Sequence, residues 1–135
     1  MKAMRIHTQG GPELLVYEDA PKPALETGDA LVRVMASAIT KTELTWTETY
    51  VDCDGRPRVP SIPGHEFSGV VEELGPGAAG VKAGDEVYGL ASFCRNGSAA
   101  EFIAVRAADL ALKPRTLDFV KASAAKKSAS RGKRK

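Results

Sequence analysis

The sequence is poor in cysteine, and this scarcity excludes a cysteine-based zinc motif. Its two cysteines, Cys53 and Cys94, form neither a Cys-x-x-Cys pair nor a cysteine and histidine array with zinc-ligand spacing. The sequence leaves one disulfide between them open. We nevertheless expect two reduced thiols, because a chain of 135 residues builds an adequate core without a cross-link.

Long apolar runs are also missing, since no stretch approaches the roughly 20 apolar residues that a membrane-spanning helix needs. The N-terminus has charge but lacks the apolar core and the small-residue cleavage site of a secretory signal. A hydrophobic fraction of 43% and a charged fraction of 27% are typical of a globular chain. We therefore expect one soluble, cytoplasmic domain that has no membrane partner.

Acidic residues are absent from the end of the chain. Residues 121–135 hold seven Lys or Arg side chains and no acid, which leaves residues 1–120 with 12 basic and 17 acidic side chains, a net charge of −5. A mildly acidic body makes nucleic acid an unexpected partner. We divide the chain into a domain over residues 1–120 and a basic, disordered tail over 121–135.

What is abundant is the alternation of apolar and polar residues between glycine and proline turns, which predicts a mainly β fold. We expect strands over residues 1–8, 14–17, 30–39, 67–74, 85–90, 99–107 and 110–112. The third strand is expected to be buried over most of both faces. The number of short strands favours an antiparallel barrel over a sandwich.

Turn and helix signals complete this interpretation. Gly10-Gly11-Pro12 suits a hairpin between the first two strands, and Asn96-Gly97 suits one between the strands at 85–90 and 99–107. Residues 40–46 are expected to form one or two helical turns, and a second short helix is expected from Leu117. The polar residues 50–60 are expected to form a surface loop.

One apparent motif is rejected by its context. Residues 75–80 (GPGAAG) satisfy the pattern G-x-G-x-x-G and follow a predicted strand. A dinucleotide fingerprint has to open a helix within a βαβ unit, whereas here another turn and another strand follow. We therefore predict a connecting turn and no cofactor-binding residue in this loop.

The segment over residues 62–71 (IPGHEFSGVV) contains the most informative chemistry. Pro63 and Gly64 predict a stiff turn that presents His65 and Glu66 at the start of a strand. Neighbouring side chains of a strand point to opposite faces, so both serve one site only where the backbone bends.

Three motifs in fixed order carry a family resemblance: residues 64–71 (GHEFSGVV), 74–75 (LG) and 84–89 (GDEVYG). Together they resemble the N-terminal, GroES-like domain of the medium-chain dehydrogenase/reductase superfamily, over about residues 1–124. The resemblance implies a partly open β-barrel with short helices that forms one wall of an active-site cleft. It also implies that a Rossmann domain binding NAD(P)H forms the other wall.

The sequence departs from the zinc-dependent members of that superfamily. Where they place a ligand cysteine in Gly-x-Cys-x-Thr-Asp, residues 38–43 read AITKTE, so Thr40 stands at the cysteine position. A hydroxyl is a poor zinc ligand, and His65 with Glu66 falls short of the required ligand number. We expect no zinc. Thr40 and Glu43 instead make the site similar to that of the zinc-independent quinone or enone reductases.

No Rossmann domain follows within the 135 residues. We therefore expect the GroES-like half of an NADPH-dependent, zinc-independent oxidoreductase of the quinone/enone reductase or alcohol dehydrogenase type, inactive as an isolated chain. NADPH would be used only with a Rossmann domain supplied in trans, and the substrate would be a small apolar carbonyl compound or quinone. The alternative is a non-catalytic module for binding or self-association, for example a homodimer.

The candidate catalytic residues are Thr40, Glu43 and His65, and each has a structural alternative. His65 is either a proton relay or a histidine that hydrogen-bonds a turn. Thr40 either donates to a substrate carbonyl or caps a helix, with Glu43 at the spacing of a capping box.

Three further residues flank these candidates. Glu66 either orients His65 or pairs with a cation. Trp46 and Tyr50 either line an apolar pocket or cover the mouth of the barrel.

Overall fold

The chain forms seven β-strands, in a computed structural model that describes residues 1–40 and 42–124. The strands are β1 (Lys2–Ile6), β2 (Leu15–Asp19), β3 (Asp29–Ala38), β4 (Glu66–Leu74), β5 (Glu86–Leu90), β6 (Phe102–Arg106) and β7 (Leu110–Leu112). Short 3-10 turns cover Pro12–Leu14, Glu43–Thr45, Thr47–Thr49 and Ala107–Asp109, and residues 119–124 are helical. The mainly β fold with short helices is confirmed.

The strands pair in two antiparallel sheets that give the expected partial barrel. β1 pairs with β2, and the larger sheet has the order β6-β3-β4-β5-β7. Two bridges, Ala3 to Ala100 and Ile6 to Ser61, attach the β1–β2 hairpin to the rest of the chain. The hairpin predicted at residues 10–12 is confirmed, with a 3-10 turn between its strands.

The core lies between the strands of the larger sheet, because their inward-facing positions are apolar. Val32, Phe67, Val71, Val87 and Ile103 are almost fully buried, and each contributes roughly 1.5–3 kcal/mol through burial. The second half of β3 differs from the prediction, since Met35 is 48% exposed and Ile39, just after the strand, is 44% exposed. Only the first half of that strand lies in the core.

A close approach between β3 and β4 explains one glycine. A side chain at Gly69 would overlap the carbonyl oxygen of Arg33, and the register shifts nearby, between Val34 and Ala36. Such an irregularity re-aims neighbouring side chains of the strand. It lies in β3, opposite the part of β4 that follows the predicted His65 turn.

The hairpin predicted at Asn96-Gly97 is wrong. β5 pairs with β4 and β7, whereas β6 pairs with β3, so the strands flanking this dipeptide are not partners. Instead, the amide of Gly97 donates to the carbonyl of Ile62 at 2.7 Å, and the Ile62 amide donates to the Asn96 side-chain oxygen at 3.0 Å. The dipeptide therefore holds the His65 turn.

The short helix predicted over residues 40–46 is replaced by two 3-10 turns, Glu43–Thr45 and Thr47–Thr49. Thr42, and not Thr40, is at the N-cap of the first turn, and no side chain caps it. The carbonyl of Thr40 accepts a hydrogen bond from the amide of Glu43 at 2.9 Å. The capping interpretation of the Thr40 hydroxyl is therefore wrong.

The expectation of two reduced thiols is also wrong, because Cys53 and Cys94 form a disulfide with their Cα atoms 5.1 Å apart. Cys53 lies in the surface loop over residues 50–60, and Cys94 lies in the connection between β5 and β6. The two loops are distant in sequence and adjacent in the fold, which no cysteine spacing reveals.

Near the end of the described chain, residues 119–124 pack onto β4, where the Ser68 hydroxyl donates to the Phe119 carbonyl. The tail predicted over residues 121–135 begins inside this helix, where Ala122 and Ser123 are buried, and its residues 125–135 lie outside the described residues; the division at residue 120 stays a prediction. Over residues 1–40 and 42–124, no helix has the length and hydropathy needed to cross a membrane.

Candidate functional site

The site is built on the turn that precedes β4. Gly64 has a φ of +94°, a left-handed conformation that side-chain-bearing residues rarely adopt. A Cβ there would lie 2.8 Å from the Ser98 hydroxyl and 3.2 Å from the Ala99 amide. The Ser98 amide donates to the Gly64 carbonyl at 2.7 Å. The turn is therefore clamped on both sides, and His65 is held by its backbone.

Glu43 is the carboxylate that contacts His65. It is 1% exposed, its Oε2 lies 3.2 Å from His65 Nε2, and it accepts the Gly64 amide hydrogen. Burial raises the pKa of Glu43, but the hydrogen bonds from His65, from the Gly64 amide and from the Thr40 amide together lower it below its usual value. The folded protein therefore favours an ionised Glu43.

His65 is buried and has one ring nitrogen without a partner. Because a carboxylate only accepts hydrogen bonds, contact with Glu43 assigns the proton of the neutral imidazole to Nε2. Nδ1 is then the acceptor, and it is buried with no hydrogen-bond partner in the described part of the chain. A buried polar atom without a partner is rare in folded proteins and marks His65 as a candidate functional residue.

The Phe93 ring covers this histidine and is itself in contact with Trp46. The Phe93 ring lies 4.4 Å from the His65 ring at 49°, and Trp46 meets Phe93 edge-on at 5.8 Å. Phe93 remains 40% exposed, so the aromatic cover forms an apolar surface beside the histidine. Phe93 was not predicted as a site residue from the sequence, where the only indication near it is the neighbouring Cys94.

The predicted trio is brought together in part. Glu43 and His65 are in direct contact, and Thr40, half-buried just after β3, is linked to Glu43 through its backbone. A role for the Thr40 hydroxyl stays a prediction. Glu43, and not Glu66, is the acid that contacts and orients His65.

Tyr50 packs in the core. It is buried against Ile6 and Leu44, and its hydroxyl donates to the Leu44 carbonyl at 2.5 Å. A pocket-lining role for Tyr50 stays a prediction. Trp46, which is partly buried, contacts the aromatic cover instead.

A zinc ion does not fit the residues present. His65 Nε2 is engaged by Glu43, and Thr40 offers a hydroxyl where a thiolate would be needed. Within residues 1–40 and 42–124, no group of three His, Cys, Asp or Glu side chains is arranged to hold a metal. The site is organised by hydrogen bonds to the Glu43 carboxylate.

A separate cavity of about 160 Å³ is lined by Met1, Pro21, Ile62 and Phe102, among others, and includes neither Glu43 nor His65.

The loop over residues 75–80 is a turn between β4 and β5, so the connecting turn predicted there is confirmed. It does not open a helix and does not fit a dinucleotide phosphate.

Comparison with known proteins identifies relatives of this chain. The model of the alcohol dehydrogenase GroES-like domain matches residues 26–115. The chain is 32% identical over 130 residues to the chloroplastic NADPH-dependent alkenal/one oxidoreductase of Arabidopsis thaliana, covering 91% of this chain and 33% of that protein. It is 31% identical over 123 residues to the quinone oxidoreductase of Rattus norvegicus, covering 88% of this chain and 35% of that protein.

A solved structure extends the match. The quinone oxidoreductase from Coxiella burnetii superposes with a TM-score of 0.81 at 27% identity, covering 91% of this chain and 40% of that one. The chain thus spans about a third of the length of the two curated relatives. It belongs to the alcohol dehydrogenase GroES-like domain family, within the medium-chain dehydrogenase/reductase superfamily.

Proposed function

We propose that this chain forms the substrate-facing wall of a zinc-independent, NADPH-dependent oxidoreductase that acts on a quinone or an enone. The observation that carries the proposal is the contact between Glu43 and His65 Nε2, together with a threonine at the position of the ligand cysteine. The Glu43 carboxylate is in contact with His65 Nε2, the nitrogen that would otherwise be free to bind a metal. Carbonyl activation at such a site has to come from hydrogen-bond donors.

The relatives support this class of reaction. The Arabidopsis protein is named an NADPH-dependent alkenal/one oxidoreductase, and the rat and Coxiella proteins are named quinone oxidoreductases. Conjugated carbonyl compounds are flat and apolar, which suits the exposed face of Phe93 and Trp46. The Thr40 hydroxyl supplies a hydrogen bond to the carbonyl oxygen of such a substrate.

The nucleotide is held outside this wall. The described residues contain no fitting dinucleotide loop, so NADPH binds to a Rossmann domain in a partner or in further chain. The chain alone is therefore inactive. The cleft closes only when both walls meet, and closure excludes water from the reacting groups.

Complementation with a nucleotide-binding domain tests the proposal. The chain is mixed with, or joined to, the nucleotide-binding part of the rat quinone oxidoreductase, and NADPH oxidation is followed with 1,4-benzoquinone and a short alkenone. We expect turnover only when both parts are present. Thr40→Ala should lower kcat/KM by about 10²-fold, as loss of a carbonyl hydrogen-bond donor does elsewhere, and Thr40→Ser should restore it.

Thr47→Ala is the matched control, because Thr47 lies in the neighbouring 3-10 turn with an exposed side chain. It should leave kcat/KM unchanged. No turnover in a properly assembled complex, or turnover indifferent to Thr40→Ala, would reject the proposal.

The second candidate is a non-catalytic module for self-association or docking. It is favoured by the exposed apolar side chains of Met35, Ile39 and Phe93, the last of which covers the site. Light scattering after size-exclusion chromatography distinguishes the two candidates. A dimer that Ile39→Lys dissociates, without any turnover in the assembled complex, would favour this module.

A further inference from the structure

The Cys53–Cys94 disulfide joins two exposed loops and none of the three hydrophobic clusters. Both cysteines are exposed, and neither is a member of a core cluster in the described residues. Sulfur atoms near the surface are accessible to attack by an external thiolate. This disulfide is therefore placed where exchange with small thiols is possible without unfolding the core.

The Cys94 loop carries the aromatic cover of His65. Cys94 follows Phe93 directly, and the Phe93 carbonyl accepts a hydrogen bond from Arg58 at 2.9 Å. Phe93 in turn contacts the His65 ring, whose Nδ1 is buried. The disulfide thus ties the loop over residues 50–60 to the tip that covers the candidate site.

The ends of this tip have anchors of their own. The Ala91 amide donates to the His65 carbonyl at 2.7 Å. On the other side, Arg95 forms ion pairs with Glu26 at 2.9 Å and with Asp29 at 3.1 Å. Loss of the disulfide therefore removes one of two ties between the tip and the loop over residues 50–60, and it leaves the hydrogen bond from Arg58 to the Phe93 carbonyl. The expected response is local opening of the tip and not unfolding.

We propose that Cys53–Cys94 is a thiol-exchange site that controls access to His65, with a low-molecular-weight thiol such as glutathione as its reaction partner. One thiolate attacks a sulfur of the disulfide to form a mixed disulfide and release one cysteine thiolate. A second thiolate then attacks the external sulfur of that mixed disulfide and releases the other cysteine thiolate. Two external thiols become one external disulfide, and their two protons end on Cys53 and Cys94.

The oxidised and reduced forms differ in how Phe93 is held over His65. In the oxidised form, Phe93 is tethered over His65 and Nδ1 is buried. In the reduced form, the tip moves and Nδ1 becomes accessible. The inference deepens the proposed function by giving the same site a control, but the exposure of His65 is measurable without turnover. Failure of one proposal is therefore distinguishable from failure of the other.

The chain contains convenient reporters. It has two histidines and one tryptophan, and the tryptophan, Trp46, contacts Phe93. Because His7 is exposed, a His7→Asn background leaves His65 as the only histidine that diethyl pyrocarbonate can modify. The rate of that modification measures access to His65, and acrylamide quenching of Trp46 measures opening of the cover.

The full chain in the His7→Asn background is equilibrated with reduced and oxidised glutathione at a series of ratios. The fraction of disulfide is read by thiol alkylation and mass spectrometry. We expect reduction to raise the modification rate of His65 by at least about tenfold, equivalent to about 1.4 kcal/mol of local opening, and to increase quenching of Trp46.

Two variants serve as controls. Cys53→Ser with Cys94→Ser should react fast at His65 whatever the glutathione ratio. Phe93→Ala should react fast with the disulfide intact, so the test does not depend on how the cysteine variant folds. Circular dichroism has to show native sheet content in the reduced form.

Three results would overturn the inference. The first is equal His65 reactivity in the oxidised and reduced forms. The second is a disulfide that resists every glutathione ratio. The third is global unfolding on reduction, which would make the disulfide a structural cross-link.

Discussion

Replacing Glu43 by glutamine tests whether an ionised carboxylate organises the site. The variant keeps the size of the side chain and removes its charge. Wild-type Glu43 accepts hydrogen bonds from His65 and Gly64 in a buried setting. A hydrogen bond to a charged group contributes about 1.5–3 kcal/mol, against about 0.5–1.5 kcal/mol for a neutral one. Two such bonds, offset by a smaller desolvation cost for glutamine, predict a net loss of about 1–2 kcal/mol at neutral pH.

The pH dependence of the stability difference tests whether the charge of Glu43 is its cause. The pKa of Glu43 is lowered in the folded state from an ordinary value of 4.5, because hydrogen bonds to the carboxylate outweigh its burial. The unfolded chain therefore binds a proton more readily than the folded chain does. The stabilisation is fully present above pH 4.5 and is lost as the pH falls through the lowered value. The difference between wild type and Glu43→Gln should narrow over the same range.

Urea denaturation at several pH values measures this difference directly. Glu48→Gln is the matched control, because Glu48 is exposed in the adjacent 3-10 turn and its replacement should cost less than about 0.5 kcal/mol. A Glu43→Gln protein as stable as wild type at neutral pH would refute the reasoning. So would a loss of stability that persists undiminished in acid.

Three further predictions concern backbone strain, a buried hydroxyl and metal content. Gly64→Ala should cost about 2–5 kcal/mol in free energy of unfolding, because it combines left-handed strain with overlap. Gly80→Ala should cost only about 1–2 kcal/mol, since φ is +91° but no atom lies near; equal losses would contradict the account. Tyr50→Phe should cost about 1–3 kcal/mol in a thermal or urea melt by leaving a buried carbonyl unpaired, whereas Tyr17→Phe, at an exposed position, should be neutral. Purified protein should contain far less than one equivalent of zinc by elemental analysis, and EDTA should leave its Tm unchanged; stoichiometric zinc would refute the role assigned to Thr40.

Much of the fold could be predicted from the sequence because strand signals are local. All seven strands form near their predicted positions, since period-two alternation and glycine or proline turns act over a few neighbouring residues. Pairing is not local. Asn96-Gly97 has the composition of a hairpin turn, but its hydrogen-bond partner is Ile62, and nothing in the dipeptide indicates a partner so distant in sequence.

The site could be predicted in a similarly partial way. His65 and Glu43 were identified through a family resemblance, and the structure brings them into contact. The aromatic cover and the disulfide could not be predicted, because Phe93 and Cys94 approach the site only after the β5–β6 connection folds back. The helical turn expected over residues 40–46 forms as the 3-10 turn Glu43–Thr45, because a window of seven residues does not separate an α-helical turn from a 3-10 turn.

The clamp around Gly64 has a consequence for how changes spread through the molecule. The peptide groups on either side of His65 are hydrogen-bonded to the amides of Ala91 and Ser98, so they are part of the backbone hydrogen-bond network of the strands. The backbone of His65 is therefore held as rigidly as the sheet, although His65 lies outside any strand. Its backbone amide neighbours should exchange with deuterium as slowly as the middle of β4. Substitutions around Ser98 should displace the imidazole as effectively as substitutions beside it.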